Sequence, residues 1–189
     1  MTKDEFRILS ATAILGYGFP KASFEEGMRR DPHLIAVDAG STDPGPYYLG
    51  AGVSFTDRDA VKRDLEIMIK AGVERGIPVC IGTAGGSGGE PHLSWNREII
   101  EEIARENNLH FTLALIHAEL PKDMIKYGLN GGRITPLEHV PELTEELIDK
   151  TTRIVAQMGI QPFITARRGV RMLYWQAARM ILQSFLRWR

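Results

Sequence analysis

Cysteine is nearly absent from this chain, since Cys80 is the only one in 189 residues. A disulfide within the chain is therefore excluded, and a reducing cytoplasm is the expected location. Cys80 lies within an apolar run that predicts a β-strand. This position favours a small buried side chain over a reactive nucleophile.

Long apolar runs and a surplus of charge are also missing. No apolar run is long enough to cross a bilayer, and the first residues lack the apolar core of a signal peptide. The formal net charge is −1, which gives no electrostatic basis for binding nucleic acid or an anionic membrane. With 43% hydrophobic residues, the chain is expected to be one soluble domain with a substantial core.

Glycine, by contrast, is concentrated in one stretch, Val79-Cys-Ile-Gly-Thr-Ala-Gly-Gly-Ser-Gly-Gly-Glu-Pro-His92. Apolar residues lead into the glycine run and an amphipathic stretch follows, an order that predicts strand, tight loop and helix. Glycines let backbone N–H groups face a ligand, and a helix N-terminus favours an anion. The spacing matches neither a Walker A loop nor Gly-x-Gly-x-x-Gly. A plain turn or a flexible linker is the alternative interpretation.

Apolar and amphipathic runs alternate along the chain. Strands are predicted at residues 7–12, 34–37, 77–81, 111–116 and 154–158, and helices at 23–30, 57–74, 95–107, 122–127 and 141–149. This alternation predicts a mostly parallel sheet with helices on both faces, which is a doubly wound, Rossmann-like α/β fold. Ser23, Thr56 and Pro141 are the expected N-terminal residues of three of the helices.

The end of the chain differs in composition from the rest. No acidic residue follows Asp149, and six arginines lie between residues 167 and 189. Residues 1–166 are therefore predicted to form the α/β domain, and residues 167–189 a basic tail. Taken literally, the tail predicts a basic amphipathic helix for a membrane surface or a partner.

A shifted reading frame is the explanation of the tail that we favour. Suitable codons, read from the third base of Gly169, encode Arg-Pro-Asp-Val-Ile-Leu-Ala-Gly-Arg-Ala-Asp-Asp-Pro-Ala-Val. That alternative is an apolar strand followed by a glycine-containing polar loop, which the α/β pattern requires next. On this hypothesis the sheet is incomplete at the C-terminus and the tail has no evolved role.

Several motifs together carry a resemblance to a known family. They are Leu15-Gly-Tyr-Gly-Phe-Pro20, Asp38-Ala-Gly-Ser-Thr-Asp-Pro-Gly-Pro-Tyr-Tyr-Leu-Gly-Ala-Gly52, Gly82-Thr-Ala-Gly-Gly-Ser-Gly-Gly89, Leu115-Ile-His-Ala-Glu119 and Val155-Ala-Gln-Met-Gly159. Over about residues 7–166 the chain resembles the acyclic terpene utilisation (AtuA-like) family. The resemblance implies a longer protein that continues through an Ala-Gly-Arg-containing strand. It also implies a role in the bacterial breakdown of branched acyclic terpenes and related carboxylic acids.

Polar residues follow the predicted strands at their carboxyl ends. Because parallel strands end at one edge of a sheet, these residues are expected to converge there. Asp38 and His117 are the candidate catalytic residues, as groups that transfer protons. The candidate ligand-binding residues are Ser41, Thr42, Gly85, Gly86, Ser87, Gly88, Gly89, His92, Glu119 and Gln157. Amides of the glycine run would hold a phosphate, a carboxylate or an oxyanion.

Other chemistries are open at the same residues. Asp38, His92, His117 and Glu119 are suitable metal ligands, but no close-spaced ligand motif is present and no metal is assigned. Ser87 satisfies Gly-x-Ser-x-Gly, yet it lies five positions beyond Gly82, where the predicted strand stops, too far for a nucleophile elbow. A hydrogen-bonded structural histidine is the alternative for His117.

The expected function is the N-terminal portion of an enzyme that acts on a small acyl or carboxylate metabolite. The expected partner is a small anionic molecule, a homo-oligomer is possible, and no cofactor is assigned. Two alternatives are open: a non-catalytic ligand-binding or assembly domain, and an inactive truncated product.

Overall fold

A small parallel β-sheet forms the centre of the protein. The structure is a computed structural model that describes residues 5–40, 44–169 and 173–176, with the backbone alone at 167–169 and 173–176. Five strands pair side by side in the order β1-β2-β3-β5-β4, and every pair is parallel. The strands are β1 (Ile8–Leu9), β2 (Leu34–Asp38), β3 (Val79–Gly82), β4 (Leu113–Ile116) and β5 (Leu173–Gln176).

At least one helix separates each pair of successive described strands, so the expected mixed α/β fold with a parallel sheet is confirmed. They are α1 (Lys21–Arg29), α2 (Tyr47–Ala51), α3 (Arg58–Arg75), α4 (Glu90–Glu106), α5 (Lys122–Asn130), α6 (Glu145–Lys150) and α7 (Gln161–Gly169). A single 3-10 turn, Ala84–Gly86, lies between β3 and α4. Parallel neighbours require such crossover connections, because a tight hairpin joins only antiparallel strands.

The core lies between the central strands and the long helices. Alternate residues of β2 and β3 are fully buried, and apolar positions at helical spacing on α3 and α4 meet them. Its largest fully buried side chains include Ile35, Ile81, Leu65, Met68, Ile69, Ile99, Ile100 and Ile103. Burial of this apolar surface is the main force that holds the sheet to the helices.

Helices α3 and α4 are also joined by charged side chains at their edge. Glu102 of α4 accepts hydrogen bonds from Arg58 and Lys62 of α3, each at 2.5 Å. These two cations lower the pKa of the Glu102 carboxyl to about 2. These contacts join α3 to α4 along their partly exposed edge.

Several helix starts differ from the sequence-based expectations. Helix α1 begins at Lys21 and has no side-chain cap, so Ser23 lies inside it. Asp57, not Thr56, caps α3 by accepting from the amides of Asp59 and Ala60. Thr56 instead exchanges a hydroxyl hydrogen bond with Ser54.

Helices α4 and α6 differ more. Helix α4 begins at Glu90, five residues before Trp95, because a proline is favourable in the first turn of a helix and does not end it. Helix α6 begins at Glu145 behind Thr144, whose hydroxyl accepts from the Leu147 amide, and not at Pro141.

The prediction of a fifth strand at residues 154–158 is wrong. Only Val155 forms an isolated antiparallel bridge, to Glu119. The Leu120 amide donates to the Ile154 carbonyl, and the Ala156 amide donates to the Ala118 carbonyl. This segment therefore lines the connection after β4 instead of joining the sheet, and Gln157 follows no strand.

The fifth strand is formed by residues 173–176, within the segment that the sequence predicts as a basic tail. Strand β5 inserts between β3 and β4, pairing Val79 with Leu173 and Ile116 with Gln176. The expected boundary after residue 166 falls within α7. Residues 177–189 lie outside the described part of the chain, and the frameshift hypothesis stays a prediction.

Candidate functional site

The carboxyl ends of β2, β3 and β4 lie at one edge of the sheet. Asp38 is in register with Gly82, and β5 links that pair of strands to β4. Asp38, the glycine run and His117 therefore follow strands at a shared edge, as the sequence predicts. The Asp38 carboxylate accepts the amide of Gly40 at 3.0 Å. Ser41 and Thr42 lie outside the described residues.

The glycine loop, residues 83–89, is largely buried and bonds to itself. The amides of Gly86 and Gly88 donate to the Thr83 and Ala84 carbonyls at 3.0 and 3.1 Å, and the Ser87 amide also donates to Ala84. Three of the amides expected to cradle an anion thus serve the turn. Binding of an anion by the loop stays a prediction.

Thr83 opens this loop in an unusual state. Its φ is +50°, a left-handed conformation that a β-branched residue rarely adopts. The side chain is only 2% exposed, and its hydroxyl has no hydrogen-bond partner within the described residues. Strain and an unsatisfied hydroxyl together raise the energy of this position by a few kcal/mol, on the order of 1–3 for the backbone alone.

A segment that we call the strap, residues 46–55, covers the glycine loop. A Cβ added at Gly86 would lie 2.5 Å from the Phe55 ring, and one added at Gly89 would lie 3.2 Å from Leu49. On the other side, a Cβ at Gly52 would lie 3.3 Å from Pro91. Glycines on both surfaces therefore allow a close approach that any side chain would prevent.

His92 attaches the strap to α4. The side chain is 1% exposed, and its Nε2 lies 3.1 Å from the Tyr48 carbonyl and 3.0 Å from the Val53 carbonyl. Because both partners are acceptors, the proton is assigned to Nε2. Nδ1 is then a buried acceptor without a partner in the described residues. Burial lowers the pKa of His92, so the imidazole is held neutral.

Glu119 closes the N-terminus of α4. Its carboxylate accepts the backbone amide of Glu90, the first residue of that helix, at 2.9 Å. A helix N-terminus is where an anion is stabilised. The position that the sequence assigns to a ligand anion is therefore held by a carboxylate of the protein itself.

His117 is paired with Glu90 at the surface. Its Nδ1 lies 2.9 and 3.0 Å from the two Glu90 carboxylate oxygens, and the two side chains are 62% and 44% exposed. Because both partners are acceptors, Nδ1 carries the proton and Nε2 is left as the basic atom. A carboxylate that fixes the imidazole tautomer in this way is the arrangement of a general base.

Two residues of this region were not found from the sequence. Glu90 orients His117, and Arg153 donates from Nη1 to the Gly50 carbonyl at 2.5 Å and to Leu49 at 3.3 Å. The sequence could have indicated Glu90, because it directly follows the glycine run. No feature of the sequence indicates Arg153, because its partners lie 103 and 104 residues away along the chain. Gln157 is exposed two residues beyond the Val155 bridge.

Two further expectations concern metal binding and Cys80. Within the described ranges, no group of three or more His, Cys, Asp or Glu residues is arranged to hold a metal ion. Burial raises the pKa of the Cys80 thiol to about 11, which fits the expected inert side chain. A cavity of about 270 Å³ beside Leu109, His110 and Leu113 lies at the amino end of β4, away from this edge.

In the part of the chain that the structure describes, no helix has the length and apolar character needed to cross a membrane. Comparison of the chain with protein-family models, with curated proteins and with solved structures finds no match to any of them.

Proposed function

We propose that the carboxyl edge of the sheet is the active site of an enzyme that acts on a small acyl or carboxylate metabolite. His117 accepts a proton at Nε2, and Glu90 holds its imidazole in the required tautomer. Asp38 is the second acid–base group at this edge. The glycine loop receives the anionic part of the substrate.

The observation that supports this proposal best is the pairing of His117 with Glu90. Both carboxylate oxygens lie within 3.0 Å of Nδ1, which favours the tautomer that carries its proton on Nδ1. A histidine that served only to stabilise the fold would gain little from a partner this exposed, because exposed ion pairs contribute about 0–1 kcal/mol.

The wider assignment follows from the resemblance and the topology. We infer an AtuA-like protein with a doubly wound, Rossmann-like arrangement, a terpenoid-related substrate and a cytoplasmic location. The parallel sheet supports this, because ligands in such folds bind beyond the carboxyl ends of the strands. The near-neutral charge supports a small molecule over a nucleic acid as the partner.

The test is turnover of a panel of short acyl thioesters and branched carboxylic acids. His117→Gln and Glu90→Gln are each expected to lower kcat/KM by about 10²–10³, since a positioned general base contributes on the order of 10²–10⁴. His110→Gln is the matched control, because His110 is exposed at the opposite edge of the sheet. Turnover that survives both substitutions at the pair would refute the proton-transfer assignment.

One observation favours a second function, a non-catalytic ligand-binding domain. The amides of Gly86, Ser87 and Gly88 donate inside the glycine loop, which is how a loop used for packing behaves. On this alternative, members of the panel bind without being converted. Retained binding in His117→Gln, with no turnover by the wild-type protein, would select it.

A further inference from the structure

The strap and the glycine loop differ sharply in burial. Ala84, Gly85 and Gly86 are buried, whereas no residue from 44 to 56 is fully buried, and α2 within the strap contributes no buried side chain. A thin, half-exposed element thus covers a buried one. Elements with few buried apolar contacts are the ones that open locally, without unfolding of the whole domain.

Beside its apolar contacts, polar contacts from two side chains hold the strap. His92 donates to the Tyr48 and Val53 carbonyls, and Arg153 donates to the Leu49 and Gly50 carbonyls. Two side chains therefore hold three carbonyls of α2 and one carbonyl that follows it. Such contacts break and reform without loss of the apolar core, since each contributes on the order of 1 kcal/mol and about 1.5–3 where a charged group takes part.

Two glycines, one directly before the strap and one within it, allow the backbone to turn. Gly45 has a φ of +74° and Gly52 a φ of +72°, and a Cβ at Gly45 would meet nothing within 4 Å. Glycines at such positions can absorb the dihedral change of a hinge. The segment between them is the short helix α2.

Two buried polar atoms without a partner in the described residues belong to the glycine loop and to the histidine that holds the strap. They are the Thr83 hydroxyl and Nδ1 of His92, on residues that are 2% and 1% exposed. A buried polar atom without a hydrogen bond costs about 1–3 kcal/mol, so native structures rarely keep one without a purpose. A hydroxyl or N–H group of a ligand would satisfy either atom.

We propose that the strap is a lid, latched by His92 and Arg153, which opens to admit a small ligand to the glycine loop. This inference rests on the proposed function for the location of the site. Opening breaks the four carbonyl contacts and lifts Phe55 from Gly86. Closure excludes water from the loop, as lids do in enzymes that sequester their substrates.

The test is residue-resolved amide hydrogen exchange of the wild-type protein by NMR. The Gly50 and Gly52 amides, bonded within the strap, and the Gly86 and Gly88 amides beneath it, are expected to exchange at least tenfold faster than core amides of α3. In Arg153→Ala the strap and loop amides are expected to exchange about tenfold faster than in the wild type. The α3 amides are expected to exchange at the same rate in both proteins.

Arg133→Ala is the matched control, because Arg133 stacks on the Tyr127 ring at 4.2 Å on α5 and is not among the strap contacts. It is expected to leave strap exchange unchanged. Strap amides that exchange only at the rate of α3 amides would overturn the lid, and wild-type protein alone decides this if Arg153→Ala does not fold. An unchanged strap in a folded Arg153→Ala would overturn the latch. Exchange is read without substrate, so a failed proton-transfer assignment leaves this result standing.

Discussion

At the scale of single residues, Asp64 shows how one buried carboxylate can fix a distant turn. It lies on α3 with no exposed surface, and one of its oxygens accepts the amides of Gly16 and Gly18, each at 3.0 Å. Its other oxygen accepts from Arg63 at 2.8 Å. The turn that follows β1 is thereby attached to the helix beside the sheet.

Asp64→Ala is expected to lower the free energy of unfolding by about 3 kcal/mol, because two amides lose a charged acceptor. Asp64→Asn keeps one acceptor oxygen and is expected to lose roughly half as much. Urea unfolding measures both. Glu66→Ala on the same helix is the control, since its pair with Lys70 is long and exposed and contributes less than about 0.5 kcal/mol. An Asp64→Ala protein as stable as the control would contradict this role.

The second prediction at the residue scale is that His92 makes the free energy of unfolding depend on pH. Burial is the largest cause of its lowered pKa, the Arg153 charge adds to it, and the carbonyls of Val53 and Tyr48 and the Glu119 carboxylate oppose it. The unfolded chain therefore takes up a proton before the folded protein does. Stability from this group is complete above about pH 6.5 and falls as the pH drops through the folded pKa.

Urea unfolding between pH 7.5 and 5 is expected to show that loss. His92→Gln is expected to be less stable than the wild type at pH 7.5 but to lose less stability on acidification. His110→Gln, altered at an exposed site, serves as the comparison. Equal pH slopes in the wild type and His92→Gln would rule out His92 as the source.

At the scale of elements, β5 occupies a central place in the sheet with an unusual sequence. Its residues are Leu173-Tyr-Trp-Gln176, whereas strands buried in parallel sheets are usually continuous aliphatic runs. The alternative frame places Val-Ile-Leu-Ala at the same positions. On the frameshift hypothesis, that segment would be the more typical strand for the position between β3 and β4.

Replacing residues 170–184 by the alternative segment is therefore expected to raise the free energy of unfolding by about 1–2 kcal/mol. For a chain of this size that shifts Tm upward by roughly 2–8 °C. A scrambled version of the same segment is the control for composition, and differential scanning calorimetry provides the measurement. An unchanged or lower Tm would count against the alternative frame as the native one.

Elements also show what sequence patterns could and could not predict. The runs at 34–37 and 111–116 gave strands close to those observed, because apolar β-branched residues favour a buried strand. Residues 154–158 carry the same composition but form only one bridge, since the sheet position next to β3 is filled by β5. Local β-propensity does not predict which of two segments will occupy a given position in the sheet.

The candidate site could likewise be predicted from the sequence only in part. The shared edge for Asp38 and His117 was predictable, because parallel strands force their carboxyl ends together. The pairing of His117 with Glu90, 27 residues apart, depends on where α4 begins. Glu119, a candidate ligand-binding residue, accepts the first amide of α4, a contact that only the packed structure determines.

At the scale of the whole molecule, the strand order separates sequence position from spatial position. Strand β5 is the last strand of the described chain, yet it lies between β3 and β4 and pairs with both. Every other neighbouring pair along the sheet follows chain order, from β1 through β3. Strands β3 and β4 are therefore joined through a segment that is made long after them.

This insertion has a consequence for synthesis in the cell. Until residues 173–176 leave the ribosome, β3 and β4 each present an unpaired backbone edge to a slot between them. Open edges of this kind pair readily with other chains. We therefore expect the nascent protein to be most prone to pairing with other chains before β5 is available.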